Sequence, residues 1–216
     1  MDYKAVIFDL DGTLLDTLQD LADSMTSVLL RFGFPIHPVE AYKYFVGGGM
    51  ENMVRQALPE DQRDEATVAR CYDALMADYD QRWTHHTHPY PGVPELLDAL
   101  TTAGIRMAIL SNKPDDFSKM CVARLLSDWQ FERVLGVRPG KPKKPDPAAA
   151  LEIASDLDLP PSAFLYLGDT STDMQTAAAA GMFPVGALWG FRTAEELSRS
   201  GARVLLARPT DLLELL

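Results

Sequence analysis

Basic residues are in deficit: 20 lysines and arginines face 31 aspartates and glutamates, a formal net charge of −11 over 216 residues. That balance opposes binding to nucleic acid or to an anionic membrane surface, and neither is expected as a partner. Cysteine is scarce, with Cys71 and Cys121 far apart in sequence, so no disulfide framework is indicated. Long apolar runs are missing; stretches such as Ala177 to Ala180 and Val204 to Ala207 are far too short to span a bilayer. The opening residues lack the charged-then-apolar-then-small order of a secretory signal, because a strand-like run begins at once. Repeats and low-complexity tracts are absent too. These absences lead us to expect a cytoplasmic protein, monomer or homodimer, with no membrane or nucleic-acid role. An anionic substrate would have to be met by a particular cation, a lysine or a metal ion, and not by the overall field.

What is present is the balance of a globular chain, 47% apolar and 24% charged, long enough for a domain with a smaller one inserted. "KAVIF" at residues 4–8 is strand-like, followed by "RMAILS" (106–111), "ERVLGV" (132–137), "FLYLGD" (164–169), "FPVGAL" (183–188) and a weak edge run "RVLL" (203–206). Helical segments separate them near 93–103, 115–127, 147–157 and 172–180. Apolar strands alternating with helices predict an α/β fold, a Rossmann-like parallel sheet with helices on both faces. Between residues 16 and 89 the pattern is helical only. "LQDLADSMTSVLLRFG" sets Leu18, Leu21, Met25, Val28 and Leu29 at helical spacing and stops at Gly33; "ENMVRQAL" and "TVARCYDALMADYDQRW" behave likewise. The expectation is a core of residues 1–15 and 90–216 with an inserted α-helical domain at 16–89. Pro89, Pro91 and Pro94 stiffen the return, and Gly92 permits a turn.

Ligands of open parallel sheets bind beyond the carboxyl ends of the strands. Those ends carry Asp9-Leu10-Asp11-Gly12-Thr13, then Ser111-Asn112-Lys113, then a loop with Lys141, Lys143 and Lys144, then Asp169 with Asp173 four residues on. Clustered carboxylates repel and need a cation or a raised pKa. Magnesium answers that need, being hard, oxygen-seeking and suited to a few carboxylates plus a phosphate oxygen. Asp9, ionised without a separate base, is placed to attack phosphorus and form an acyl phosphate that water can hydrolyse. Asp11 is placed to protonate the leaving oxygen and then to take a proton from water. Ser111 and one of the lysines would hold phosphoryl oxygens, and Gly12 would let the backbone approach the ligand. Asp169 would complete the metal's protein ligands, with Asp173 orienting a metal-bound water or the lysine from behind them.

These four stretches, in this order, resemble the haloacid dehalogenase superfamily: "DLDGT", "LSN", "KKPDP" and "GDTSTD" are similar to its first to fourth motifs. The helical insert sits where that family carries a type-one cap. The resemblance implies Asp9 as nucleophile, Asp11 as general acid and base, Ser111 and Asn112 as phosphoryl ligands, and Lys144 rather than Lys141 as the third-motif lysine. It implies magnesium held by Asp9, the Asp11 backbone carbonyl and Asp169. The second acid, Asp11, implies an oxygen leaving group. "FVGGGMENMVRQAL" and "LWGFRTAEEL" resemble segments of the phosphoglycolate phosphatases. The expected activity is a magnesium-dependent phosphatase acting on a small phosphorylated metabolite, 2-phosphoglycolate foremost. A β-phosphoglucomutase-like mutase, a pyrophosphatase and a non-catalytic binding protein on the same scaffold are the rivals.

Blander readings stand beside these. Asp-Gly is a common turn dipeptide, and "GDTSTDMQTA" also reads as a capped helix start. The lysine cluster could be a solvated loop, with only one member facing the site. Gly47, Gly48 and Gly49 suit a hinge as well as a substrate loop. His85, His86 and His88 have the spacing of no usual zinc site. Met50, Met53, Met76 and Met107 suit core filling. Lys43 and Arg55, the cations beside the glycine loop, are candidates to meet a substrate carboxylate.

Overall fold

The computed structural model describes residues 3–216 and divides into two compact units, Met1–Leu15 with Pro89–Leu216, and Asp16–His88. Strand β1 (Ala5–Phe8) is buried at every position, which is why it reads as a continuous apolar run and not as an alternation. Two short strands, β2 (Leu15–Asp16) and β3 (His88–Pro89), pair in a separate sheet where the chain leaves and rejoins the first unit.

The Asp16–His88 unit holds helices α1 (Leu18–Phe32), α2 (Tyr42–Phe45), α3 (Met50–Ala57) and α4 (Glu65–Arg82). All five apolar residues picked out by spacing on α1 are buried, and the helix ends at Gly33, whose φ of 74° lets its N–H close onto Leu29 and Leu30. Helix α4 begins with the Asp64 side chain accepting from Thr67 N and turns Val68, Cys71, Leu75 and Tyr79 inward, packing against α1 and α3. One acid breaks the apolar face of α1. Asp20 is buried, and its carboxylate accepts from His86 N, Thr87 N and Thr87 Oγ1 at 2.7–3.1 Å, which fastens the end of this unit to its first helix. His85, His86 and His88 are exposed and join no metal-ligand cluster among the described residues. Met50, Met53 and Met107 are buried.

The first unit continues with α5 (Val93–Thr102), β4 (Arg106–Pro114), α6 (Asp115–Leu125), β5 (Arg133–Val137), α7 (Ala148–Asp156), β6 (Phe164–Gly168), α8 (Ser171–Ala180), β7 (Phe183–Ala187), α9 (Ala194–Arg199) and β8 (Val204–Leu206). The sheet is parallel throughout, in the order β5-β4-β1-β6-β7-β8. From β1 the chain builds outward to β5, then crosses to β6 and builds outward on the other side. The change of direction flanks β1, so the carboxyl ends of β1, β4 and β6 lie side by side at the topological switch point. The strands β2 and β3 stand at the two ends of the stretch expected to be helical only, and two further features depart from the sequence expectation. Strand β4 runs three residues past Ser111, with a register shift against β5 between Leu110 and Pro114. Helix α9 was not anticipated, being only six residues long and too short to show a periodicity. Among the described residues, no helix is long and apolar enough to cross a membrane.

Candidate active site

The site residues converge on the rim that the switch point creates. Asp9 follows β1 directly, its N–H bonding Leu167 O on β6 at 2.9 Å. Asp169 follows β6, and Asp173 stands in the first turn of α8. There Thr170 caps the helix, donating from N and Oγ1 to Asp173 Oδ2 at 3.0 and 2.6 Å. The helix-start reading of "GDTSTDM" and its place in the site are therefore compatible. One oxygen of each of Asp9, Asp169 and Asp173 lies within 4.8 Å of the others, and all three residues are buried.

Lys144 is the lysine that reaches Asp9 and Asp173. Its Nζ lies 2.8 Å from Asp9 Oδ1, 2.6 Å from Asp173 Oδ1 and 3.0 Å from Leu110 O, three acceptors for three hydrogens. Lys141 and Lys143 are exposed. The Lys144 loop is held by Asn112, whose Oδ1 accepts from Lys144 N at 3.0 Å and whose Nδ2 donates to Lys144 O at 3.1 Å. The Asn112 side-chain amide thus braces the backbone of Lys144. Ser111 is buried on the same rim, and its Oγ accepts from Lys113 N at 3.1 Å.

Asp169 is gripped from the far side. Thr13 Oγ1 donates to Oδ1 at 3.0 Å and Phe191 N donates to Oδ2 at 2.8 Å. Trp189 Nε1 ties the same segment to Thr13 O at 2.9 Å. Gly12 has a φ of 88°, and a Cβ there would lie 2.4 Å from Asp169 Oδ2; a Cβ on Gly190 would lie 2.3 Å from Asp169 Cβ. Gly12 is required by its backbone conformation and by the close approach of Asp169 and Phe191.

Asp11 is set apart. Its carboxylate pairs with Lys113 Nζ at 2.9 Å, and the Lys113 side chain is fully buried. Lys113 was visible in sequence as the residue after "SN" but carried no assignment, because its partner Asp11 is 102 residues away in sequence. The Trp189–Phe191 segment was singled out only as part of "LWGFRTAEEL", by its resemblance to a phosphoglycolate phosphatase segment, with no residue role attached.

The electrostatics are unbalanced. Burial pushes the Asp9 carboxyl well above the ordinary carboxylate range, Asp173 and Asp169 add to the push, and Lys144 opposes it. Asp169 is pushed up to about 7, first by burial and then by Asp173, against the hydrogen bonds from Phe191 and Thr13. Burial alone would lower the Lys144 ammonium, yet Asp173 and Asp9 hold it well above the usual lysine value. The nearby Arg192 is paired with Glu196 at 3.2 Å. Three buried carboxyls stand beside one lysine ammonium, and burial with their mutual repulsion pushes Asp9 and Asp169 toward the protonated form unless a further cation is present. All the donors are hard oxygens, and Asp173 is already spent on Lys144 and Thr170. The set fits a hard divalent cation held by Asp9 and Asp169.

The haloacid dehalogenase-like hydrolase family matches residues 6–187, which bracket Asp9, Asp11, Ser111, Lys113, Lys144, Asp169 and Asp173. The chain is a haloacid dehalogenase-like hydrolase. It is 34% identical to the phosphoglycolate phosphatase of Pseudomonas syringae pv. tomato over 94% of this chain and 76% of that one. It is 29% identical to the phosphoglycolate phosphatase of Aquifex aeolicus over 99% of this chain and 96% of that one. A crystal structure from Lactobacillus delbrueckii subsp. bulgaricus matches at a TM-score of 0.93 and 30% identity, covering 100% of this chain and 98% of that one. For this hydrolase the α/β fold expected from sequence is the fold observed. In its helical unit, Lys43 pairs with Glu40 at 2.8 Å, and Arg55 is held by Glu51, Glu65 and Arg63 O at 3.1 Å each. Both cations expected to meet a substrate carboxylate are thus engaged within their own unit.

Proposed function

We propose that this hydrolase is a magnesium-dependent phosphatase that cleaves a small phosphomonoester, with 2-phosphoglycolate as the favoured substrate, through a phospho-Asp9 intermediate. The observation that carries the reading is the buried cluster of Asp9, Asp169 and Asp173 at the strand ends, with Lys144 paired to Asp9 and Asp173. Relatives that span nearly the whole chain are phosphoglycolate phosphatases, which supports both the chemistry and the substrate class.

Magnesium, when bound by Asp9, the Asp11 carbonyl and Asp169, would offset the charge of the substrate phosphate and screen it from Asp9. Asp9 attacks phosphorus, the new bond forming from its carboxylate oxygen as the ester P–O bond breaks. Asp11 delivers a proton to the departing alkoxide, giving an alcohol. Asp11 then takes a proton from water, the resulting hydroxide attacks the phosphoryl group, and Asp9 and inorganic phosphate are released. Ser111 and Lys144 bind phosphoryl oxygens, and Asp173 keeps Lys144 charged and in place.

Acid-quenched single turnover followed by peptide mass analysis tests the intermediate. One phosphoryl group is expected on the peptide containing Asp9 and none in Asp9→Asn. A labelled peptide elsewhere in the chain, or unchanged turnover in Asp9→Asn, overturns the assignment. Transfer of the phosphoryl group to a sugar instead of water would mark a mutase.

A further inference from the structure

Among the described residues, the carboxylates of Asp9, Asp169 and Asp173 each have two or more donors fixing them, whereas the Asp11 carboxylate has one partner, the Lys113 ammonium at 2.9 Å. Lys113 is itself built in. Its N–H bonds Ser111 Oγ at 3.1 Å, and Ser118 Oγ reaches its carbonyl at 3.4 Å and that of Pro114 at 3.0 Å. The next residue but one, Asp115, accepts from Gly136 N at 2.8 Å, which ties this end of β4 to β5. A Cβ on Gly136 would stand 2.6 Å from Lys113 O and 2.5 Å from Asp115 Cα, so only glycine lets the two strands close here. Lys113 lies in the stretch of β4 where the register against β5 shifts, between Leu110 and Pro114. Burying a lysine stem and ammonium is costly unless the charge is paired. This one is paired with the single acid of the rim that nothing else holds.

We propose that Lys113 is the positioning residue for Asp11: it holds Oδ1 so that Oδ2 is presented to the oxygen that gains or loses a proton. The proposal rests on the reading of Asp11 as general acid and base. It predicts a defect that depends on the leaving group, because a stabilised phenolate departs without a proton and an alkoxide does not.

The test compares 2-phosphoglycolate with para-nitrophenyl phosphate on wild type, Lys113→Met, Lys113→Arg, Asp11→Asn and the Lys113→Met/Asp11→Asn double variant. In Lys113→Met, kcat on 2-phosphoglycolate is expected to fall about a hundredfold and on para-nitrophenyl phosphate about tenfold or less. Lys113→Arg should recover much of the difference. The double variant should be no worse than Asp11→Asn, since Lys113 acts through that carboxylate; it also removes both members of the buried pair, so it guards against misfolding. Equal losses on both substrates, or additive losses in the double variant, would overturn the positioning role. If Asp11→Asn itself shows no dependence on the leaving group, the general-acid reading fails, and with it the basis of this inference.

Discussion

Two buried acidic places in this molecule differ in a way that separates structure from chemistry. Asp20, in the helical unit, is one carboxylate served by two backbone N–H groups and a hydroxyl. It is satisfied by neutral donors, and nothing about it calls for a further partner. On the rim of the sheet, Asp9 and Asp173 share one ammonium with Asp169 clustered beside them, and two of the three carboxyls are held above their ordinary range. A buried acid is therefore not a site by virtue of burial. Convergence of several acids with too few cations is what implies a missing charge.

The comparison can be broken most decisively at the nucleophile. Asp9→Asn should reduce phosphatase turnover by about a thousandfold or more while the protein still folds; turnover assays with circular dichroism check both halves. Residual activity near wild type would remove Asp9 from the reaction. Next comes the shared cation. Lys144→Met leaves Asp9 and Asp173 buried without their ammonium and should lower stability by about 3–5 kcal/mol, read by urea unfolding. A stable Lys144→Met protein would mean that the rim is more solvated than its burial indicates.

Asp20→Ala sharpens the contrast from the other side. It strips the acceptor from three donors and should cost about 3 kcal/mol in the same assay. The rise in Tm on adding magnesium should be unchanged, because Asp20 belongs to a balanced place. A lost magnesium response would make the two acidic places equivalent and sink the comparison.

The smallest expected effect is in pH. Asp169 has its folded pKa raised to about 7, above its unfolded value near about 3.9. Between those values the folded state holds the extra proton. The metal-free protein should therefore lose stability from this group as pH rises, until about 7 is passed. A cation competes with that proton, so the magnesium-induced gain in Tm should be larger at pH 8 than at pH 6. Calorimetric scans at the two pH values, with and without magnesium, read the difference; an equal or inverted gain contradicts it.

Most of the sheet was legible because strands buried on both faces need no alternation: "AVIF" and "FLYLG" announce themselves as apolar runs bounded by acids. The acids were legible for the same reason, since a carboxylate directly after such a run must sit at the strand's carboxyl end. Spacing could not convey what depends on register and close approach. The pairing of Lys113 with Asp11, 102 residues away, leaves no mark in "SNKP". The engagement of Asn112 with the Lys144 backbone joins residues 32 apart, and nothing local foretells it. Gly12 was noticed as permissive, but that its missing Cβ makes room for Asp169 emerges only once β1 and β6 are neighbours. Asp20 escaped notice because one acid on an amphipathic helix reads as a surface position until Thr87 folds back onto it.

Titration of the metal-stripped protein with magnesium by isothermal calorimetry at pH 7.5 asks whether the acid cluster on the rim takes up a cation. Wild type and Asp20→Ala should each take up one ion per chain, and Asp169→Asn should bind it far more weakly. Absence of binding to wild type, or undiminished binding to Asp169→Asn, would contradict the account.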